Sequence, residues 1–214
     1  TIKLLADKKN KTHIMKNYNI QDILENIPDK REYKNTTSLK FKEDIYNSFK
    51  DIAHEYTCLE VGTNHGHTTR ILSYIFKHVV TIDWKEDPNL KKARELNHDR
   101  DNITYIQADV YNSSWKNLNL PDFQVSFIDC GHEYGHVISD INNCIRYGST
   151  SQYMIFDDYG LPGFGVKKAI TDQINNISGF QKIAEIGEPT GNEPRIGKPL
   201  IDSEGVICLY EVTQ

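Results

Sequence analysis

The stretch Thr57–Phe76 (T-C-L-E-V-G-T-N-H-G-H-T-T-R-I-L-S-Y-I-F) limits the folds open to this chain more than any other segment. A short apolar run of Cys58, Leu59 and Val61 closes on Glu60-Val61-Gly62. A turn with a second glycine, Gly66, follows, and Ile71, Leu72, Ile75 and Phe76 then mark one face of a helix. Strand, glycine turn and helix in this order form a unit of an α/β sheet. Glycine is expected in such a turn where a Cβ would obstruct a ligand lying against the backbone. The helix that follows offers unpaired N–H groups and the positive end of its dipole, so an anionic group is favoured in the turn. The spacing is E-x-G-x-x-x-G, which differs from G-x-G-x-x-G.

Beyond the turn the pattern alternates. Strands are predicted at His78–Ile82, Ile103–Ala108, Phe123–Ile128 and Tyr153–Phe156, ending in Asp83, Asp109, Asp129 and the pair Asp157-Asp158. Helices are predicted between them. One starts at Asp87-Pro88, with Asp as N-cap and Pro at the first helical position, and buries Leu90, Ala93 and Leu96. Another carries Val137, Ile138, Ile141, Cys144 and Ile145; a third runs through Val166, Ala169, Ile170, Ile174 and Ile177. Two closing strands, Gln181–Ile186 and Gly205–Val212, have no helix between them and predict an antiparallel pair at one edge. Upstream, Phe41, Ile45, Phe49, Ile52 and Tyr56 mark a helix, and Ile20, Ile23, Leu24 and Ile27 a shorter one stopped by Pro28. The fold predicted is therefore α/β, a doubly wound, mostly parallel seven-stranded sheet with an antiparallel edge pair. Residues 1–37 are assigned to an N-terminal helical extension or lid, and residues 38–214 to the main domain.

Charge and composition bound the partners. Against 25 Lys and Arg stand 30 Asp and Glu, a net charge of −5, which disfavours general nucleic-acid binding because phosphate neutralisation needs clustered cations. No apolar run approaches the ~18 residues of a membrane span. Cys58, Cys130, Cys144 and Cys208 are scattered without a C-x-x-C, so reduced core thiols and a cytoplasmic location are expected. The chain begins at Thr1. A piece of a longer glycan-building protein, a processed terminus and an arbitrarily chosen start all fit that residue, and a homo-oligomer is equally open.

In a sheet of this kind ligands bind beyond the carboxyl ends of the strands. Glu60, Asp83, Asp109, Asp129, Asp157 and Asp158 are therefore expected on one rim. Asp83, at the end of the second strand, is suited to accept both hydroxyls of a ribose, Asp109 to accept from an adenine amino group, and Trp84 to pack on the adenine face.

The series E-V-G-T-N-H-G-H-T, T-I-D-W, I-Q-A-D-V, F-I-D-C-G-H-E-Y and I-F-D-D-Y resembles the class I S-adenosylmethionine-dependent methyltransferases over about Leu39 to the C-terminus. Within them, I-D-x-x-H-x-Y followed by D-D-Y resembles the branch that O-methylates sugars, such as the macrocin and rhamnosyl methyltransferases. The resemblance implies that Glu60, Gly62, Thr63 and Gly66 line the methionine part of the cofactor, with Thr68 near its carboxylate. It implies that Asp83 holds the ribose, with Trp84, Asp109, Val110 and Asp129 completing the cofactor site. It further implies a divalent cation, with Mg²⁺ suited to the hard oxygens of Asp129, Asp157 and Asp158. The expected activity is O-methylation of a small hydroxylated acceptor, a deoxysugar such as rhamnose in a glycan or glycoside.

His132 lies three residues past Asp129, where the related catechol-type enzymes carry a Lys base, and it is the candidate general base. Gly131 stands where the sugar-methylating branch often has an Asp, a departure that argues against an Asp-based proton relay. His65 and His67 are read as cofactor-loop contacts and His136 as a surface residue. Tyr159 and Phe164 are expected to pack on the acceptor, and the loop Gly187–Gly205, with Glu188, Arg195 and Lys198, is read as acceptor-choosing or as a surface hairpin. Two rivals predict other features. A nicotinamide-dependent sugar oxidoreductase predicts G-x-G-x-x-G and a Tyr/Lys or Ser/Tyr set. A catalytically silent interaction module has no need of the acidic series.

Overall fold

A computed structural model describes residues 19–25, 27, 36–188, 192–193, 198–199 and 202–212. Seven strands form one sheet: β1 (Thr57–Val61), β2 (His78–Asp83), β3 (Ile103–Gln107), β4 (Val125–Ile128), β5 (Ser151–Phe156), β6 (Phe180–Ile186) and β7 (Gly205–Glu211). Their order is β3-β2-β1-β4-β5-β7-β6. The first five are parallel, and β7 runs antiparallel between β5 and β6. This is the predicted doubly wound sheet with its antiparallel edge. The chain moves outward from β1 to β3 and then returns to β4, so the strand order reverses beside β1, where a ligand crevice is expected.

Alternation along β1 divides the core. Leu59 and Val61 join Val80, Ile82, Ile141, Phe156 and Ile170 on one face; Cys58 joins Val79, Phe127, Ile155 and Ile207 on the other. Helices α5 (Tyr134–Tyr147) and α6 (Val166–Asn176) cover the first face. The second is covered by α2 (Leu39–Phe49) and α3 (His67–Ile75), through Phe41, Ile45, Phe49, Ile71, Leu72 and Ile75. The short helix α1 (Ile20–Leu24), capped by Asn19, buries Ile23 and Leu24 in that same cluster, together with Ile27. Residues 1–18, 26 and 28–35 of the proposed extension lie outside the described residues.

Several boundaries differ from the periodicity. The helix expected to reach Tyr56 stops at Phe49, because the N–H groups of Ile52 and Ala53 both bond back to the Phe49 carbonyl in a closing turn. The strand expected from Phe123 starts at Val125, with Phe123 buried ahead of it. Asp87 is extended before Pro88, as an N-cap is, yet regular helix α4 begins only at Lys91 and runs to Leu96 after a turn at Glu86–Leu90. In the loop Gly187–Gly205, the short strands Asn192–Glu193 and Lys198–Pro199 pair antiparallel; Arg195 lies outside the described residues. All four cysteines are free, and Cys58, Cys144 and Cys208 are buried. No described helix is long and apolar enough to cross a membrane.

Candidate active site

The turn after β1 is built against protein on both sides. Gly62 has φ +101°, and a Cβ there would lie 2.1 Å from the Asp129 carbonyl oxygen; at Gly66, φ +79°, it would lie 2.7 Å from the Ala93 Cβ. The glycines are thus required first by the close approach of β4 and α4, a different cause from the ligand contact expected of them. Glu60 sits behind the turn, fully buried, where Thr69 and Thr81 each donate to its Oε2 at 2.5 Å. Its Oε1 has no hydrogen-bond partner among the described residues. Burial pushes its pKa up to about 8, against the pull of the two threonine bonds. Glu60 therefore supports the turn from beneath. Thr63 and Thr68 are also buried, and Thr63 Oγ1 lies 2.5 Å from Thr81 Oγ1.

Beyond β2 and β3 opens a cavity of about 300 Å³, at the small end of the range for ligand sites. Ile82, Ala108 and Val110 give it apolar walls, with Asp83, Asp109 and Trp84 at its margin. The Asp83 carboxylate is nearly buried and firmly oriented. The Asn64 N–H donates to Oδ2 and the Lys85 N–H to Oδ1, both at 2.9 Å, while Asn89 Nδ2 lies 3.1 Å from each oxygen. Asp109 is held by the Asn112 side chain and by the N–H groups of Tyr111 and Asn112, and these bonds lower its pKa. Trp84 is 60% exposed, with its ring 4.6 Å from Lys85 Nζ.

His136 departs from its expected place on the surface. Its ring stacks on Tyr111 at 4.1 Å, and both residues line the cavity. The Tyr111 hydroxyl accepts from the Gly131 N–H at 2.8 Å and donates to buried Asp140 at 2.9 Å. Desolvation raises the Asp140 pKa to about 7 and the Cys130 thiol, at the cavity wall, to about 12.

The third group is Asp129, His132 and Asp158, one ligand atom of each lying within 4.8 Å of the others. His132 Nε2 is 2.7 Å from Asp158 Oδ2 and 3.3 Å from Asp129 Oδ1. Desolvation works to lower the His132 pKa, but hydrogen bonds and charge from the two carboxylates outweigh it and raise it to about 10. Asp158 reaches the imidazole from a left-handed backbone, φ +57°, which turns the chain after β5. Asp157 still bonds through its N–H to the Ile128 carbonyl, as a continuation of the sheet, and is buried outside this group. Phe164, 42% exposed, stacks on His132 at 4.9 Å. Tyr159, expected to meet an acceptor, is instead buried in the core, with Lys182 and Lys167 over its ring.

A second, narrower cleft of about 20 Å³ lies over the glycine turn, lined by Gly62, Thr63, His65, His67 and Thr68 with Asp129 and Thr36. No side chain caps α3. His67 is held neutral, its pKa lowered to about 4 by desolvation and by the charge of Lys42. Lys42 and Glu204, both buried, do not follow from the strand-end pattern. A signal for such residues is present elsewhere in the sequence: Lys42 and Asp140 are charged residues set within apolar helix stripes, a placement that is rare unless paired or functional.

A family model described as a methyltransferase domain matches residues 59–159. An uncharacterized protein of Acanthamoeba polyphaga mimivirus is 30% identical over 128 residues, covering 55% of this chain and 57% of that protein. The chain thus spans little more than half the length of this curated relative. Among solved structures, a cofactor-bound protein from MTB superposes with a TM-score of 0.66 at 14% identity, covering 91% of this chain and 88% of that one. The O-methyltransferase from Bacillus cereus, solved in complex with SAH, gives 0.61 at 15% identity, with 89% of each chain covered. At these identities the likeness is one of fold.

Proposed function

We propose that this chain, whose residues 59–159 match a methyltransferase-domain family model, is an S-adenosylmethionine-dependent methyltransferase that transfers a methyl group to a hydroxyl of a small acceptor, a deoxysugar in a glycan or glycoside. The observation that carries the reading is the meeting of two different sites on one rim. An oriented carboxylate, Asp83, stands at an apolar cavity, and an Asp-His-Asp group lies across Gly62 from it. The cavity fits a nucleoside: apolar walls suit a base, and a buried carboxylate with fixed oxygens suits a ribose diol. S-adenosylmethionine, when bound, supplies an already activated methyl group, which leaves the protein mainly to align the acceptor oxygen.

Asp129 and Asp158, with Asp157 adjacent, are the residues that would hold a cation, and carboxylate oxygens suit Mg²⁺. His132 would receive the hydroxyl proton. It can do so only as a neutral imidazole, and its two carboxylate partners hold its own proton in place. Neutralising those carboxylates would free the base, and a divalent cation held by them would supply that neutralisation and would stabilise negative charge on the acceptor oxygen. Phe164 forms the exposed ring beside the base on which an acceptor would pack. The sugar acceptor is supported by the I-D-x-x-H-x-Y and D-D-Y runs alone.

Calorimetry with S-adenosylhomocysteine tests the first half of the reading, with binding in the micromolar range expected. Absence of binding at high micromolar concentrations removes the reading. Transfer of a labelled methyl group to candidate deoxysugar glycans, read by mass spectrometry, tests the second half.

A further inference from the structure

Resting on the cation reading above, we propose that Asp140, acting through the Tyr111 hydroxyl, is a positioning residue that fixes the turn carrying Asp129 and His132. Asp140 is not one of the strand-end acids. It sits fully buried in the middle of α5, among Val137, Ile141 and Cys144, where an apolar side chain would complete the stripe without the cost of burying a carboxylate. Its Oδ2 accepts from the Tyr111 hydroxyl at 2.9 Å, while its Oδ1 has no hydrogen-bond partner among the described residues. What this acid does in the core is orient one tyrosine.

That tyrosine meets the turn after β4. A backbone N–H only donates, so the Tyr111 oxygen is the acceptor from the Gly131 N–H, at 2.8 Å. With its proton given to Asp140, the hydroxyl presents a lone pair to that N–H and is not free to rotate. The bond fixes the Cys130–Gly131 peptide, which lies between Asp129 and His132 in the chain. Fixing it matters because glycine leaves a backbone its widest choice of conformation. A side chain at position 131 would break the clamp: a Cβ there would lie 2.6 Å from His136 Nδ1 and 2.7 Å from the Tyr111 hydroxyl oxygen. His136 stacks on Tyr111 from one helical turn ahead of Asp140, so α5 grips the ring and the hydroxyl together. On the far side the Gly165 N–H donates to the His132 carbonyl at 2.8 Å. Residues 131 and 132 are thus pinned from two directions, and His132 Nε2 is left between Asp129 and Asp158. Desolvation raises the Asp140 pKa, while the Tyr111 bond and the charge of His132 pull against it, so the two ends of the clamp also act on each other.

The test uses the whole chain and three readouts: Mn²⁺ affinity by electron paramagnetic resonance, hydrogen exchange of the Gly131 amide by NMR, and calorimetry with 5′-methylthioadenosine, the nucleoside portion of the cofactor. Asp140→Leu removes the acceptor, whereas Asp140→Asn keeps an oxygen for the Tyr111 proton. In Asp140→Leu, Mn²⁺ should bind at least tenfold more weakly and the Gly131 amide should exchange at least tenfold faster, with 5′-methylthioadenosine affinity held within threefold as a report on the fold. Asp140→Asn should restore Mn²⁺ affinity and exchange to within threefold of wild type. Tyr111→Phe should repeat the Mn²⁺ and exchange losses from the other partner, and it decides the matter where Asp140→Leu fails to fold. Unchanged Mn²⁺ affinity in the folded variants, or an Asp140→Asn protein as impaired as Asp140→Leu, overturns the inference while leaving the cation reading in place. A wild-type protein that binds no Mn²⁺ removes both.

Discussion

His132 Nε2 stands 2.7 Å from Asp158 Oδ2, and the Asp158 side chain is wholly buried. A buried carboxylate needs a cationic partner, and the imidazolium supplies it. The expected outcome follows from the sign of the shift. With its folded pKa raised from 6.5 to about 10, His132 contributes stability that is fully present below pH 6.5 and is lost as the pH rises through about 10. In the cation-free protein the His132 ring resonances should titrate near 10. A midpoint near 6.5 would show that the two carboxylates do not act on it.

The same group separates the cation ligands. Asp129→Ala and Asp158→Ala should each weaken Mn²⁺ binding at least tenfold, read by electron paramagnetic resonance, with S-adenosylhomocysteine affinity held within about threefold in Asp158→Ala, since Asp129 also lines the cleft over the glycine turn. Asp157→Ala discriminates between the resemblance and the geometry. A tenfold loss would put Asp157 among the ligands, whereas an unchanged affinity leaves the site to Asp129 and Asp158.

Gly62→Ala should cost at least about 2 kcal/mol, since it combines a left-handed backbone with a Cβ placed 2.1 Å from the Asp129 carbonyl oxygen. Chemical denaturation measures the loss. Because the clash falls on Asp129 itself, Mn²⁺ binding should fall with it. A stable variant with normal cation binding would mean that β4 can withdraw from the turn without consequence.

Much of this arrangement is legible in the sequence because period-two strands ending in acids locate themselves. Once Ile82, Ile128 and Phe156 are read as strand ends in a parallel sheet, their acidic successors must share a rim. What escapes are contacts made by side chains distant in sequence. Tyr111 follows Asp109 by two residues, but nothing local says that its hydroxyl meets Gly131, 20 residues on, or Asp140, 29 residues on. Tyr159 reads as an acceptor contact because it follows Asp158, yet the left-handed turn at Asp158 sends that ring into the core and leaves Phe164 beside His132. Glu60 is expected on the open side of the turn; strand alternation sets it opposite Leu59 and Val61, facing Thr69 of α3.

Tyr111→Phe keeps the ring that walls the cavity and removes two buried hydrogen bonds. The Gly131 N–H loses its acceptor, and Asp140, whose Oδ1 already lacks a hydrogen-bond partner among the described residues, loses its donor. A loss of about 1–3 kcal/mol in stability is expected, with 5′-methylthioadenosine affinity changed by less than about threefold. Equal stability of variant and wild type would show that water replaces the hydroxyl on both partners.

Glu60 provides a pH signature that no surface carboxylate can give. Its pKa is raised from 4.5 to about 8, so the folded state prefers the neutral acid. The unfolded chain releases the proton earlier, and the wild-type protein should lose stability as the pH climbs from 4.5 to about 8. Glu60→Gln has no proton to release; its amide oxygen can accept from Thr69 and Thr81, and its NH₂ takes the place of Oε1. The stability of this variant relative to wild type should therefore increase across that interval and level off above about pH 8, by at most on the order of 5 kcal/mol. Urea unfolding at a series of pH values reads the difference directly. A difference that stays flat across the same interval would mean that water reaches Glu60 behind the glycine turn, and that the turn is not the dry support for Gly62 and Thr63 that its packing describes.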